Sequence, residues 1–103
     1  MARKRAEIPY AMEMPEAVKD DLLKRLARIR GQIEGIQRMV EDDRYCLDVL
    51  QQSAAVHAAL RGAEKLLLAN HLERCATHAF EIGGDSAAEV RQEIVDLLYR
   101  YLR

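Results

Sequence analysis

The sequence predicts an all-α protein, and three observations carry that prediction. Of the 103 residues, 50% are hydrophobic but only 5% aromatic, with no Trp. Leu, Ala, Val and Ile therefore hold the apolar load, a mixture that suits helices better than a β-sandwich. Leu22, Leu26, Ile29, Ile33, Ile36 and Val40 recur at intervals of 4, 3, 4, 3 and 4, the heptad seam of a helix packed lengthwise against another. From residue 44 to residue 82 there is no Pro, and Gly occurs only at 62, so a long helix can run through that stretch without a breaker.

Taken in order, residues 1–14 are expected to be a flexible N-terminal arm and residues 15–103 a single helical domain, since 103 residues make one compact core rather than two. The first helix is expected to begin at Pro15, a residue suited to the first helical position, with Glu16, Asp20 and Asp21 near the positive end of its dipole. It should run to about Asp42. Asp43 is a candidate N-cap for a second helix through Arg44, Tyr45 and Cys46 that reaches about Ile82. Gly62, flanked by Ala and Leu in its neighbourhood, reads as a close-packing position. Gly83-Gly84 supplies a C-cap, and Asp85 or Ser86 starts a third helix with Val90, Ile94, Leu97, Leu98 and Tyr101 on its apolar face.

Several classes of function are excluded or disfavoured. The longest apolar run, Leu66 to Ala69, is far too short to span a bilayer. The opening "MARKRAEIPYAMEMP" lacks an apolar stretch followed by a cleavage site, so a cytoplasmic protein is expected. No carboxylate pair, nucleophile with its base or phosphate-binding glycine loop suggests an enzyme. The net charge of −1 argues against a generic nucleic-acid binder. Locally the balance differs: Lys24, Arg25, Arg28, Arg30 and Arg38 face one acid, Glu34, a net of +4. Such a stripe is by default a solvated helix face.

The stretch "NHLERC" sets His71 and Cys75 four residues apart, one helical turn, so an imidazole and a thiolate can converge on one ion. Cys46 is the candidate third ligand. It lies 25 residues before His71, about 37 Å along a continuous helix at about 1.5 Å per residue, and so cannot reach within one chain. A second chain running antiparallel removes the difficulty, with the two-fold axis near residue 60. The sequence there, "SAAVHAALRGA", is rich in small residues that let two backbones approach. Two thiolates and an imidazole favour Cu(I) over oxygen-loving cations; Zn(II) remains open with His78 or water as a fourth ligand. Cys46 also falls in the first turn of its helix, where the dipole favours an anionic ligand. Taken singly, either cysteine would be an inert core residue, and His57 and His78 ordinary packing or surface histidines.

These residues, "RLARIRGQIEGIQRMVEDDRYCLDVLQQSAAVHAAL" and then "NHLERC", resemble the copper-sensitive operon repressor family, the CsoR/RcnR group of bacterial metal-sensing repressors. The resemblance covers roughly residues 15–100. It implies a three-helix protomer, an antiparallel homodimer with a four-helix-bundle core, and a dimer of dimers. Such a homotetramer would bind operator double-stranded DNA without a helix-turn-helix in the apo form and release it on binding Cu(I), so that copper efflux or chaperone genes are transcribed. A copper chaperone is a candidate delivery partner. Carried over by position, Cys46 of one chain with His71 and Cys75 of another would be trigonal ligands, and Tyr45 would support them from outside. A supporting glutamate early in the third helix is also implied; spacing from Cys75 lands near Arg91, flanked by Glu89 and Glu93. The DNA-contacting positions would be Lys24, Arg25, Arg28, Arg61 and Lys65, with Arg3-Lys4-Arg5 in the arm. Nickel and cobalt sensors of the group carry a histidine where this chain has Met14, persulfide sensors lack the histidine found here at 71, and formaldehyde sensors replace the cysteine found here at 75. That pattern implies the copper branch. The competing readings are a persulfide or redox sensor working through Cys46 and Cys75, and a cytosolic copper carrier with no role at DNA.

Overall fold

The computed structural model describes residues 3–101, with Tyr101 by its backbone alone. The described residues are helical: a short 3-10 turn at Arg5–Glu7, α1 at Glu16–Glu41, α2 at Cys46–Asn70, a π-helical segment at His71–Ala76, α3 at Thr77–Ile82 and α4 at Gly84–Tyr101. Contacts divide the chain into two compact units. One is Pro15–Leu68; the other joins the N-terminal segment through Met14 to the chain from Ala69 onward.

In the first unit, Pro15 stands immediately before α1 with φ −58° and ψ 145°, and its carbonyl accepts the Lys19 N–H at 3.0 Å. Proline fits here because the N–H it lacks would have no helical partner. The helix ends as expected, with the Asp42 N–H bonded to the Arg38 carbonyl at 2.9 Å. Asp43 is not the cap of α2. It adopts φ +54°, a left-handed conformation that Asp tolerates better than most residues, and so turns the chain. Instead the Tyr45 carbonyl accepts the N–H groups of Asp48 at 3.0 Å and Val49 at 3.2 Å, so α2 starts at Cys46. Leu22, Ile29 and Ala63 are buried. The heptad seam of α1 is only half covered by its own chain, for Leu26, Ile33 and Val40 remain 41%, 47% and 60% exposed. A β-carbon at Gly62 would lie 3.2 Å from the Arg25 guanidinium, which bears out the close-packing reading.

In the second unit the long helix expected through Ile82 changes its winding at residues 71–76. At the end of the π segment the Thr77 hydroxyl donates to the Leu72 carbonyl at 3.0 Å. Gly83 then stops α3 at φ +76°, ψ −163°, with its N–H on the Ala79 carbonyl at 3.0 Å. This is a backbone region open essentially to glycine alone. The helix α4 begins at Gly84, slightly earlier than expected, and packs against α3. Ala87 and Val90 are buried and Ile94 packs on the core, while Leu98, on the same face, is 53% exposed. The Tyr101 side chain lies outside the described residues.

Residues 8–12, in the stretch expected as an arm, carry side chains that pack on the second unit's core. Tyr10 is 1% exposed and forms one core with Cys75, Ala76, Ala79 and Val90, with Ile8 and Ala11 against it. The small side chains of Ala76 and Ala79 leave room for the ring in this cluster, and burying such a ring contributes about 1.5–3 kcal/mol.

Candidate metal centre

His71 and Cys75 both lie in the π segment. A π turn holds more residues than the 3.6 of an α-helix, so side chains four apart stand more nearly in line, and isolated π turns often accompany functional positions. Cys75 is buried at 8% exposure, while the His71 side chain is 38% exposed. The pair expected from the sequence is therefore held on one element, with the sulfur inside and the imidazole at the surface.

Two groups engage this pair. The Met12 backbone N–H donates to Cys75 Sγ at 3.3 Å, and the Met12 carbonyl lies 3.9 Å from the same sulfur. Glu93, from α4, brings Oε2 to 3.6 Å from His71 Nε2. That leaves Nδ1 as the ring nitrogen turned away from the carboxylate, the arrangement by which an outer carboxylate orients a ligating histidine. Of the two glutamates considered from the sequence, Glu93 faces His71, whereas Glu89 is held by Arg3 at 3.3 Å.

Glu93 is itself fixed on its other oxygen. The Tyr10 hydroxyl donates to Glu93 Oε1, and Arg3 Nη2 lies 3.4 Å from that atom. Desolvation by burial, then the hydrogen bond and charge of Glu93, push the Tyr10 phenol well above its ordinary range, so at neutral pH it is a proton donor. Hydrogen bonding to Glu89 raises the Arg3 guanidinium further. Tyr10 is a site residue that sequence reasoning missed. Its signal was faint: Ile8, Tyr10, Ala11 and Met12 form an apolar cluster around Pro9 and ahead of Pro15, which a solvated arm would not need. His78, considered as a fourth ligand, points its Nδ1 at the Tyr10 carbonyl, 3.0 Å away.

Cys46 belongs to the other unit. It is the first residue of α2, it is exposed, and with Val40, Asp43, Arg44, Val49 and Leu50 it lines a shallow, largely apolar groove of about 440 Å³. Tyr45 beside it is 67% exposed. Among the described residues no three His, Cys, Asp or Glu side chains of one chain converge as a metal-holding group. The donors nonetheless suit a soft ion: one thiol with an N–H already on its sulfur, one imidazole oriented by a carboxylate, and one exposed thiol.

The basic residues named for DNA contact on the helices all lie in the Pro15–Leu68 unit, and Lys24, Arg25, Arg28, Arg61 and Lys65 are all exposed. The Arg25 guanidinium sits over Gly62, so the α1 set and the α2 set stand at one level of the two helices. Arg25 is partly engaged by Asp21, 3.1 Å away and one turn earlier. No helix among the described residues is long and apolar enough to cross a membrane.

The chain is 51% identical over 69 residues to the copper-sensing transcriptional repressor RicR of Mycobacterium tuberculosis, a match covering 67% of this chain and 72% of the relative. It is 41% identical over 86 residues to the copper-sensing transcriptional repressor CsoR of Bacillus subtilis, covering 82% of each. Among solved structures, the copper-sensing repressor CsoR with Cu(I) from Geobacillus thermodenitrificans superposes with a TM-score of 0.81 at 36% identity, covering 89% of this chain and 94% of that one. The model of the metal-sensitive transcriptional repressor family matches residues 18–100, and the chain belongs to that family of non-enzymatic regulators.

Proposed function

We propose that this repressor responds to Cu(I), binding operator DNA when metal-free and releasing it when the ion is bound. The observation that carries the reading is the donor set: His71 and Cys75 on one π turn, with Glu93 behind the imidazole, and an exposed Cys46 at the head of α2. Thiolate and imidazole select a soft, low-coordinate ion. The copper-sensing names of the relatives and the Cu(I) of the related crystal structure support the same metal.

Because α2 runs unbroken from Cys46 to Asn70, the third ligand is Cys46 of a second chain, and Tyr45 would arrive with it. The uncovered seam residues Leu26, Ile33 and Val40 supply apolar surface for that association, first a dimer and then a pair of dimers. In such an assembly the exposed cations of several protomers act together on the phosphate backbone, which offsets the low charge of one chain. A copper chaperone is the partner class suited to delivering the ion in the cytoplasm.

The ion bridges two chains and so favours one quaternary arrangement over another. Linkage then requires that DNA weaken Cu(I) binding by the factor by which Cu(I) weakens DNA binding, a coupling of about 1–3 kcal/mol. The test is an anaerobic titration of labelled operator duplex at fixed salt with and without Cu(I). The apo protein should bind and the loaded protein should release; unchanged DNA affinity on loading refutes the proposal. Replacing His71 with Ala separates copper from thiol sensing, since it should abolish the Cu(I) response and leave a disulfide or persulfide response between Cys46 and Cys75 intact.

A further inference from the structure

One face of α2 carries two ionisable residues among its apolar ones. Cys46, Leu50, Ser53, His57, Leu60 and Glu64 recur at intervals of 4, 3, 4, 3 and 4, so they share a stripe along the helix. The stripe is largely bare in the protomer: Leu50 is 62% and Leu60 39% exposed, His57 is exposed and Glu64 half-buried. The neighbouring face, with half-buried Val49 and Val56 and buried Ala63, is the one covered within the chain. A second antiparallel α2 helix therefore has this stripe to pack on, and the shared site sets its register. With Cys46 opposite His71 or Cys75 of the partner subunit, His57 falls opposite position 60 or 64 of the partner.

We propose that His57 of each chain pairs with the partner's Glu64, two symmetric contacts flanking the two-fold axis, and that this pair selects the antiparallel register and a second copy of this chain as partner. The proposal rests on the antiparallel pairing given under the proposed function. An imidazole keeps at least one N–H to donate to a carboxylate, whether neutral or charged, and two-fold symmetry makes the contact occur twice. Leucines alone do not fix the register, because a slip of seven residues sets stripe against stripe again. The polar pair does. A seven-residue slip in one direction sets His57 against the partner's His57, a slip in the other sets Glu64 against the partner's Glu64, and parallel pairing in register does both. Each alternative leaves like groups facing at a desolvated centre, the repulsive element by which an interface rejects wrong arrangements. A related chain lacking either residue is rejected for the same reason, since one buried polar group then goes unpaired.

The experiment uses the full chain in metal-free form, with assembly read by sedimentation equilibrium and native mass spectrometry and helicity by circular dichroism. His57→Glu sets two carboxylates face to face and Glu64→Lys takes the acceptor from the imidazole, so each should raise the dissociation constant by about ten-fold or more. Mixing the two variants should restore assembly with both chains in equal number, since one contact then joins the two introduced charges and the other is native. The double variant, with both exchanges in one chain, should also assemble, but only if the helices are antiparallel; a parallel pair would set its like charges together. The contact is refuted if either single variant assembles as the wild type does, or if the mixture and the double variant stay dissociated. Rescue in the mixture without rescue in the double variant makes the helices parallel and overturns the proposal. Should the single variants lose their helical signal on dissociating, its return on mixing reads the same contact, and its continued loss refutes it. A monomeric wild type overturns the antiparallel pairing and the contact with it, whereas an assembled wild type indifferent to both substitutions overturns the contact alone.

Discussion

Cys46, His71 and Cys75 are each ordinary when considered singly; what distinguishes them is what surrounds them. The two glutamates of α4 are separated by a single turn and both pair with the Arg3 guanidinium, but Glu93 also faces the His71 imidazole. Glu93→Gln should therefore weaken Cu(I) by about ten-fold, while Glu89→Gln, which loses only a solvent-exposed ion pair, should change it by less than about two-fold. Chelator competition on the two variants checks this, and equal effects would mean that the distinction between them is without consequence. Tyr10 makes a second prediction. Its folded-state pKa is raised above the ordinary value of 10.0, so above that pH the native state holds a proton that the unfolded chain has released. Stability then falls as pH rises beyond about 10 and is unaffected by this group below it. Urea midpoints measured from pH 8 to 11 should show that alkaline loss in the wild type and a flatter profile in Tyr10→Phe.

At the level of elements, the stretch holding His71 and Cys75 is followed by residues that fix its end. The Thr77 hydroxyl donates to the Leu72 carbonyl, and Gly83 ends α3 in a conformation that a side chain resists. Gly83→Ala should destabilise the fold by about 1–3 kcal/mol, read as a lower thermal midpoint. The substitution meets no neighbouring atom within 4 Å, so the cost would be one of backbone conformation, and an unchanged midpoint would show that the turn relaxes freely. Thr77→Val keeps the shape and removes the donor, with an expected loss of about 1 kcal/mol, read in the same thermal midpoint.

For the whole molecule the decisive quantity is how many chains act together. The 11.8 kDa protomer leaves a large part of its α1 seam bare, and Ile33 lies at the middle of that seam, 47% exposed. Ile33→Glu should move the protein toward monomer in sedimentation equilibrium, since a charge in an apolar helix interface is left unpaired, and, on the proposal of a site shared between chains, Cu(I) affinity should fall with it. A variant that dissociates yet binds Cu(I) as tightly would refute the shared site. Arg28→Ala or Lys65→Ala should weaken DNA binding across sequences, with the slope of log affinity against log salt reduced by about one for each phosphate that the variant no longer neutralises; an unchanged slope removes that residue from the interface.

The helical class, the span of α1, the stop at Gly83 and the placing of His71 and Cys75 on one helical stretch are legible in the residues themselves, because heptad spacing, absence of breakers and a four-residue interval act locally along one helix. The start of α2 is less so, since Asp43, a capping residue by type, takes a left-handed turn instead. The π winding is not legible, for nothing in the type or spacing of residues 71–76 distinguishes it from α-helical winding. Nor is the choice of Glu93 over Glu89, or the seating of Tyr10. Those contacts join positions 83 residues apart in the case of Tyr10 and Glu93, and no local pattern encodes which face of α4 meets the N-terminal segment. The sequence determined which chemistry the chain carries, since donor type is a property of each residue; only the tertiary structure decided which neighbours orient those donors, since orientation arises from packing between segments remote in the chain.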